Sequence, residues 1–376
     1  MAGRDLVTGN PAAENTALRR RVGPLKKNRK SVGAIGEFSL IERIRNILPA
    51  GGNKDLLVDI GDDTAVIRID KRRAMLLTCD IQVEGRHFRF DHITPYQLGR
   101  RSMAVNLSDI GAMGGKPTYA LVSLGLPATF PVKSCDRLFE GMRDELQPHR
   151  ARIVGGNLAR TKDGLIVDIT LLGEAASSRV LTRGGARVGD RIFVTGNLGA
   201  SGAGFQVLSA FGKRFPRRYK HLVNSHVLPT PRVELGQKIA RAGVATAMID
   251  ISDGVAGDLF HICTRSGVGA EIHEDRLPLP ERIGEIAERS GKTVRDLALH
   301  SGEDYELLFT SPPRVPVKKV QSVTGESGVP VTEIGRIVRR DDGYSLVDSR
   351  GRKTPLTPAG WNHFRETRKG REEKRK

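Results

Sequence analysis

Short apolar runs broken by glycine and aspartate constrain this chain more than any other feature of its sequence. Leu56 to Ile60, Ala65 to Ile69 and Met75 to Thr78 each have the length of a strand, and Gly, Asp and basic residues separate them, which predicts a small sheet. Apolar residues at helical spacing then predict helices from about Pro95 to Met113 and from Val132 to Pro148, with strands at Tyr119 to Leu126, Ile153 and Leu165 to Leu172. Upstream, Ser39 and Glu42 have the spacing of a capping box, predicting a helix through Leu48 that Pro49 and the Gly51-Gly52 pair end. After Gly184 the pattern starts again. A strand at Arg191 to Thr195 runs into the glycine-rich Gly196 to Gly204 and a helix, and Pro231 opens another helix through Ala242. A strand at Ala247 to Ile251 leads into a helix from Val255 to Ser266, and Tyr305 to Thr310 is a further strand. Strict strand-helix alternation is missing, so two α+β domains joined near residues 175 to 187 are expected.

A net charge of +18 over 376 residues invites a nucleic-acid reading, and its distribution weakens that reading. Residues 1 to 34 carry eight basic side chains against Asp5 and Glu14, and residues 362 to 376 carry seven against three. More than half of the excess therefore sits in two ends without helical or strand periodicity. The first is expected to be a disordered basic arm and the second a basic tail. Each reads either as a solvated, charge-rich appendage or as a polyanion-binding arm that holds nucleic acid. The first 34 residues lack the apolar core of a secretory signal, and no apolar run reaches the ~20 residues needed to cross a bilayer. Cys79, Cys135 and Cys263 form no CxxC pair, so neither a disulfide framework nor a structural zinc site is indicated, and a cytoplasmic location is expected.

The chemistry is carried by the aspartates. Asp62 and Asp63 follow a strand, Asp80 is expected to end one, and Asp250 and Asp253 fall in Ile249-Asp250-Ile251-Ser252-Asp253-Gly254 at the end of another. Asp109 lies in the helical Ala104-Val105-Asn106-Leu107-Ser108-Asp109, with Asn106 on the same face. Singly, each reads as a turn former or helix cap. As a set converging from several elements they repel unless cations lie between them, which suits oxygen-preferring Mg²⁺ and, through it, phosphate. Gly196 to Gly204 reads either as a phosphate-binding loop or as close packing of a helix on a strand, and it lacks both the Walker A and the Rossmann spacing. Gly155-Gly156-Asn157 is expected to end a strand and reads equally as a plain turn. His87 alone reads as structural, and neither a thiol nucleophile nor a G-x-S-x-G elbow is present.

Taken in order, Gly36-Glu37-Phe38, Ile60-Gly61-Asp62-Asp63, Thr78-Cys79-Asp80, Val83-Glu84-Gly85-Arg86-His87-Phe88, Ala104 to Asp109, Leu181-Thr182-Arg183, Ile249 to Gly254, Ser301-Gly302-Glu303-Asp304-Tyr305-Glu306-Leu307 and Gly360-Trp361-Asn362-His363-Phe364 resemble the thiamine-monophosphate kinases of the aminoimidazole-ribonucleotide-synthetase-like superfamily. The likeness runs from about Gly36 to Phe364 and leaves out both basic ends. It implies the two-domain PurM-like (AIR-synthetase-like) fold. On that reading residues 35–180 form an N-terminal domain whose sheet pairs with a second subunit, and residues 181–361 form a C-terminal α/β domain. Residues 1–34 and 362–376 are then the arm and the tail.

The implied activity is ATP-dependent phosphorylation of thiamine monophosphate to thiamine diphosphate, with ATP as co-substrate, several Mg²⁺ ions and a homodimer. The acceptor oxygen is already ionised near neutral pH, so no general base and no catalytic side chain of that kind is expected. Carried over position by position, the metal ligands are Asp63, Thr78, Cys79, Asp80, Asp109, Asn157, Asp250 and Asp253. The nucleotide contacts are Gly156, Asn157, Arg183 and Ser252, and His87, Glu303 and Trp361 fall on the thiamine-phosphate side. Asn157 stands where the family usually has Asp, and Cys79 where a Thr is expected. Weaker occupancy of one Mg²⁺ site follows if those two side chains bind metal. Two other readings remain: a different ATP-using enzyme of the superfamily, or a catalytically weakened nucleotide-binding protein with nucleic-acid-binding ends.

Overall fold

In the computed structural model, residues 32, 36–48, 53–325 and 327–357 are described. The basic tail, Trp361 and all of the basic arm except Val32 lie outside them. Helix α1 (Glu37–Ile47) belongs to a unit separate from the body that spans Gly52–Trp361. It begins two residues before the expected capping box. Gly36 is its N-cap, without a side-chain cap, and Glu37 supplies the acidic first turn that favours a helix N-terminus.

The first half of the body is a six-stranded sheet with two helices. Its elements are β1 (Leu56–Val58), β2 (Ala65–Arg68), β3 (Arg73–Val83), α2 (Pro95–Ala112), β4 (Lys116–Pro127), α3 (Val132–Leu146), β5 (Arg152–Thr161) and β6 (Ile166–Ala176). The spatial order is β1-β2-β3-β6-β4-β5; only the β4/β5 pair is parallel. One strand ran past its expected end. β3 continues to Val83, so Asp80 lies inside it, because β6 matches it residue for residue over its whole length. Likewise Gly155-Gly156-Asn157 lies within β5, at the edge of the sheet.

Helix α2 is the scaffold of this half. Thr94 and Gln97 form a reciprocal capping box with Pro95 in the first turn. Thirteen of its eighteen residues are buried, because it packs on the sheet, on α3 and on the second half of the body. Its crossing with α3 depends on two glycines. A Cβ at Gly99 would lie 1.9 Å from the Leu138 carbonyl oxygen, and one at Gly141 would lie 2.0 Å from that of Tyr96.

The second half contains β7 (Arg191–Thr195), α4 (Ala200–Phe211), α5 (Lys220–Val227), α6 (Val233–Ala242), β8 (Ala247–Asp250), α7 (Val255–Ser266), β9 (Gly269–His273), α8 (Ile283–Ser290), α9 (Val294–His300), β10 (Leu307–Ser311), α10 (Val317–Gly325), β11 (Val331–Val338), β12 (Tyr344–Val347) and β13 (Lys353–Pro355). The strands order as β13-β12-β9-β11-β7-β10-β8. Phe193 on β7 and Phe309 on β10 stack with centroids 5.4 Å apart, a pair that contributes roughly 0.5–1.5 kcal/mol beyond its area. Among the described residues no helix is long and apolar enough to cross a membrane.

Candidate active site

Three elements bring their aspartates to one point. Asp63 sits in the β1–β2 turn, Asp109 near the end of α2 and Asp250 at the last residue of β8. One carboxylate oxygen from each lies within 4.8 Å of the others. The neighbours hold these groups in place. Ser108 Oγ donates to Asp250 Oδ2 at 2.7 Å, Thr78 Oγ1 donates to Asp109 Oδ2, and Arg183 donates to Asp63 Oδ1 from Nε at 3.0 Å and Nη2 at 2.5 Å. Arg183 also donates its backbone N–H to Asp62 at 3.2 Å.

The electrostatics of this cluster are unfavourable for protein alone. Burial, reinforced by Asp63, pushes Asp250 up to about 8. Burial raises Asp80 to about 6 against its hydrogen bond with Asp109, and burial with Asp80 and Asp250 raises Asp109 well above the usual range. Burial also raises Asp63 against the pull of Arg183. Asp63 Oδ2 is buried and has no hydrogen-bond partner. An all-oxygen donor set with an orphaned carboxylate oxygen fits Mg²⁺, which takes carboxylates and demands no nitrogen or sulfur. Asp253 lies three residues beyond Asp250 and is not among the three that converge. Asp258 Oδ2 holds its loop by accepting from Asp253 N at 3.2 Å and Gly254 N at 3.1 Å.

Sheet register separates the remaining candidates. Thr78 is buried on the helix-covered face of β3, whereas the next residue, Cys79, is exposed on the other face. There its thiol lies 3.3 Å from Asp168 Oδ1 and accepts from Thr170 Oγ1 at 3.6 Å. The Cys79 side chain therefore points away from the three-aspartate cluster. Asn157 pairs in register with Ser123, which pairs with Asp168, so register puts it on the outer face as well. Gly156 and Asn157 are exposed.

The two loops that carry Ser252 and Glu303 are one assembly. Glu303 N donates to Ser252 O at 2.8 Å, Tyr305 N to Ile251 O at 2.9 Å and Ile251 N to Glu306 O at 2.8 Å. Glu303 and Tyr305 have φ of 59° and 52°, a left-handed conformation that non-glycine residues rarely hold outside constrained sites. The loop's other acids are consumed structurally. Glu306 accepts from Thr195 Oγ1 at 2.6 Å and from Arg232 Nε at 2.7 Å. Asp304 accepts from Gly199 N at 2.6 Å and Ser201 N at 3.0 Å. This last contact decides the reading of Gly196 to Gly204. Its N–H groups at the start of α4 serve Asp304, and Gly199, at φ 79°, approaches the Leu297 carbonyl so closely that a Cβ would lie 2.5 Å away. The segment is a close-packing device.

Glu303 alone turns a carboxylate outward, with its side chain 34% exposed, and it is paired by Arg101. His87 is half-buried and anchored, with Nδ1 accepting from Val83 N at 3.0 Å, and its carbonyl faces Arg101 Nη2 at 3.5 Å. Sequence patterns did not single out Arg101, His226, Asp168, Asp258 or Ser108. Arg101, His226, Asp168 and Ser108 meet their partners across long stretches of chain, so only the fold reveals their roles, whereas Asp258 caps a loop four and five residues before it.

These arrangements have relatives. The family described as AIR synthase related protein, N-terminal domain, matches residues 61–175, and its C-terminal domain matches residues 187–348. The chain is 35% identical over 330 residues to the thiamine-monophosphate kinase of Aquifex aeolicus (strain VF5), covering 88% of this chain and 98% of that one. It is 34% identical to that of Escherichia coli (strain K12), covering 88% and 99%. Among solved structures, AaThiL complexed with AMPPCP and TMP matches with a TM-score of 0.76 at 34% identity over 90% of this chain and 100% of that one. Hydrogenase maturation protein HypE in complex with ATP, at 16% identity, TM-score 0.61 and 83% and 88% coverage, shares the fold. Identity at this level along nearly the whole of the relatives' length, over two successive AIR-synthase-related domains, decides the assignment: the chain belongs to the thiamine-monophosphate kinase family.

Proposed function

We propose that this chain transfers the γ-phosphoryl group of ATP to the phosphate of thiamine monophosphate, forming thiamine diphosphate and ADP. The observation that carries it is the convergence of Asp63, Asp109 and Asp250 within 4.8 Å, in a body whose relatives include AaThiL bound to AMPPCP and TMP. The bond between the γ-phosphorus and the bridging oxygen of ATP breaks, and one forms to an oxygen of the acceptor phosphate. That oxygen is ionised near neutral pH, so the protein positions and neutralises and removes no proton.

Asp63, Asp80, Asp109 and Asp250 would hold Mg²⁺ on the helix-covered face, with Thr78 and Asp253 beside them. Bound there, Mg²⁺ supplies the positive charge that lets two phosphates approach. Cys79 would contribute through its backbone, because its thiol lies on the far face. Gly156, Asn157, Arg183 and Ser252 form the nucleotide side. Arg183 offers a planar fork suited to two phosphate oxygens, and Asp63 now holds that fork. His87 and Glu303 form the acceptor side, to which the family resemblance also assigns Trp361, outside the described residues.

Domain limits of 35–180 and 181–361 accompany this reading. A homodimer does too: Ile81, Tyr119 and Leu121 are 49%, 51% and 41% exposed on the outer face of the first sheet, which a second copy would cover. The three thiols are free, in keeping with a cytoplasmic location. Incubation with ATP, Mg²⁺ and thiamine monophosphate should yield thiamine diphosphate and ADP; no product under magnesium excess would remove the proposal.

A further inference from the structure

We propose that Arg101 is the positioning residue for Glu303, fixing its carboxylate as a surface anion that selects a cationic, ring-bearing acceptor. This rests on the kinase reading above and assigns the acceptor side a residue that it lacked.

Arg101 is 1% exposed, and a buried guanidinium is costly unless each charge-bearing edge is paired. Its two terminal nitrogens are paired, while Nε is buried without a hydrogen-bond partner among the described residues. Nη2 contacts Glu303 Oε1, and Nη1 donates to the His226 carbonyl at 2.5 Å. The cation thus ties the loop after α9 to the end of α5, while the His87 carbonyl faces it from the loop after β3. Glu303 has one carboxylate oxygen engaged from beneath by Arg101. Its other oxygen lies 3.5 Å from His226 Nδ1, a nitrogen that also faces Ser201 Oγ at 3.1 Å and Arg101 Nη1 at 3.5 Å. Burial, then Arg101, holds the His226 ring far below its ordinary range, so it stays neutral and leaves the Glu303 charge available.

The surroundings match a flat cation. Phe205, 43% exposed, packs against His226 with centroids 5.5 Å apart and edge-on to His92 at 6.0 Å. Glu303 and the part-exposed Phe205 ring both border His226, and a fixed anion with an aromatic ring nearby suits a cationic heteroaromatic ring.

The test is steady-state kinetics on the full chain with Arg101→Lys, Glu303→Gln and the double variant. Arg101→Lys keeps a cation and loses the fork. It should raise KM for thiamine monophosphate ~10-fold or more, with KM for ATP within about twofold. Added to Glu303→Gln, it should raise that KM by no more than about twofold further, because the partner is already gone. An unchanged acceptor KM, an equal rise in both KM values, or multiplicative effects in the double variant would overturn the proposal and leave the kinase reading standing. If Arg101→Lys does not fold, Glu303→Asp at its part-exposed position withdraws the carboxylate from Arg101. An acceptor KM raised as far as in Glu303→Gln, although the charge is kept, then supports the proposal, and one well below that of Glu303→Gln overturns it. A wild-type chain that makes no product fails the kinase reading itself. Calorimetric titration with thiamine monophosphate then decides for Arg101, since equal affinity in wild type and Arg101→Lys overturns it and a ~10-fold loss supports it.

Discussion

Glu303 donates its backbone N–H to the carbonyl oxygen of Ser252 at 2.8 Å, so the residue proposed to face the acceptor and the loop beside the aspartate cluster are one hydrogen-bonded unit. Phosphoryl transfer depends on two bound phosphates being held in line. Here the parts that would hold them are joined through backbone, which neither side-chain rotation nor salt can loosen.

The aspartate cluster should be a liability without a cation. Asp250→Asn replaces a buried carboxyl, which burial and Asp63 push up to about 8 and which must therefore take up a proton to fold at neutral pH without a cation, with an amide that is neutral in both states and can still accept from Ser108. In metal-free buffer the variant should melt about 2 °C or more above wild type, a change of roughly 1 kcal/mol at this size. With Mg²⁺ the order should reverse, because wild type gains ligand stabilisation and the variant does not. Turnover should fall ~100-fold or more. Thermal denaturation with and without Mg²⁺ checks the pair of effects.

Asn157→Asp should leave the magnesium concentration needed for half-maximal turnover within about twofold. The position is exposed on an edge strand and, by register, faces away from the three-aspartate cluster, so a carboxylate there adds no ligand to that cluster. A clearly lower magnesium requirement in the variant would bring this side chain to the metal.

Cys79→Ala should keep turnover within about threefold and retain the Mg²⁺-induced rise in melting temperature. The thiol faces Asp168 and Thr170 on the outer side of the sheet, leaving the Asp63 site untouched. A lost magnesium response would place the thiol at the metal after all.

Gly99→Ala should destabilise the protein by about 3 kcal/mol or more, because its Cβ would lie 1.9 Å from the backbone oxygen of Leu138 and the backbone of α3 must move. Urea unfolding measures this; a loss below about 1 kcal/mol would show that the two helices can slide apart cheaply.

His261 should make stability fall in mild acid. Burial, aided by Arg183 and Arg265, lowers it from 6.5 to about 4. Between those values the unfolded chain binds a proton that the folded chain does not, so this contribution is complete above pH 6.5 and is lost as pH falls toward 4. The stability of wild type relative to His261→Asn should therefore decline from pH 6.5 to pH 4; a constant difference would show that His261 titrates alike in both states.

Legibility followed the range of the interactions. Asp63 and Asp250 stood out because turns and strand ends are marked by neighbours in sequence, Asp109 because it lies in the helical stretch Ala104 to Asp109, and the first-half elements were long enough to show their period. The extra length of β3 was set by its pairing with β6, which no local pattern records. The eight-residue α8 and seven-residue α9 are too short for a clear helical repeat. Arg101 meets Glu303 across 202 positions, and the glycines before α4 were ambiguous until Asp304 was seen to take their N–H groups.

Helix α2 carries Arg101 at the end of its second turn and Asp109 near its last residue. Eight helical steps separate them, an axial rise of about 12 Å. If Glu303 takes the cationic ring and the aspartate cluster the phosphate, as proposed, this one helix would set the span between them, and an acceptor with a shorter or longer linker between cation and phosphate would be refused by length alone.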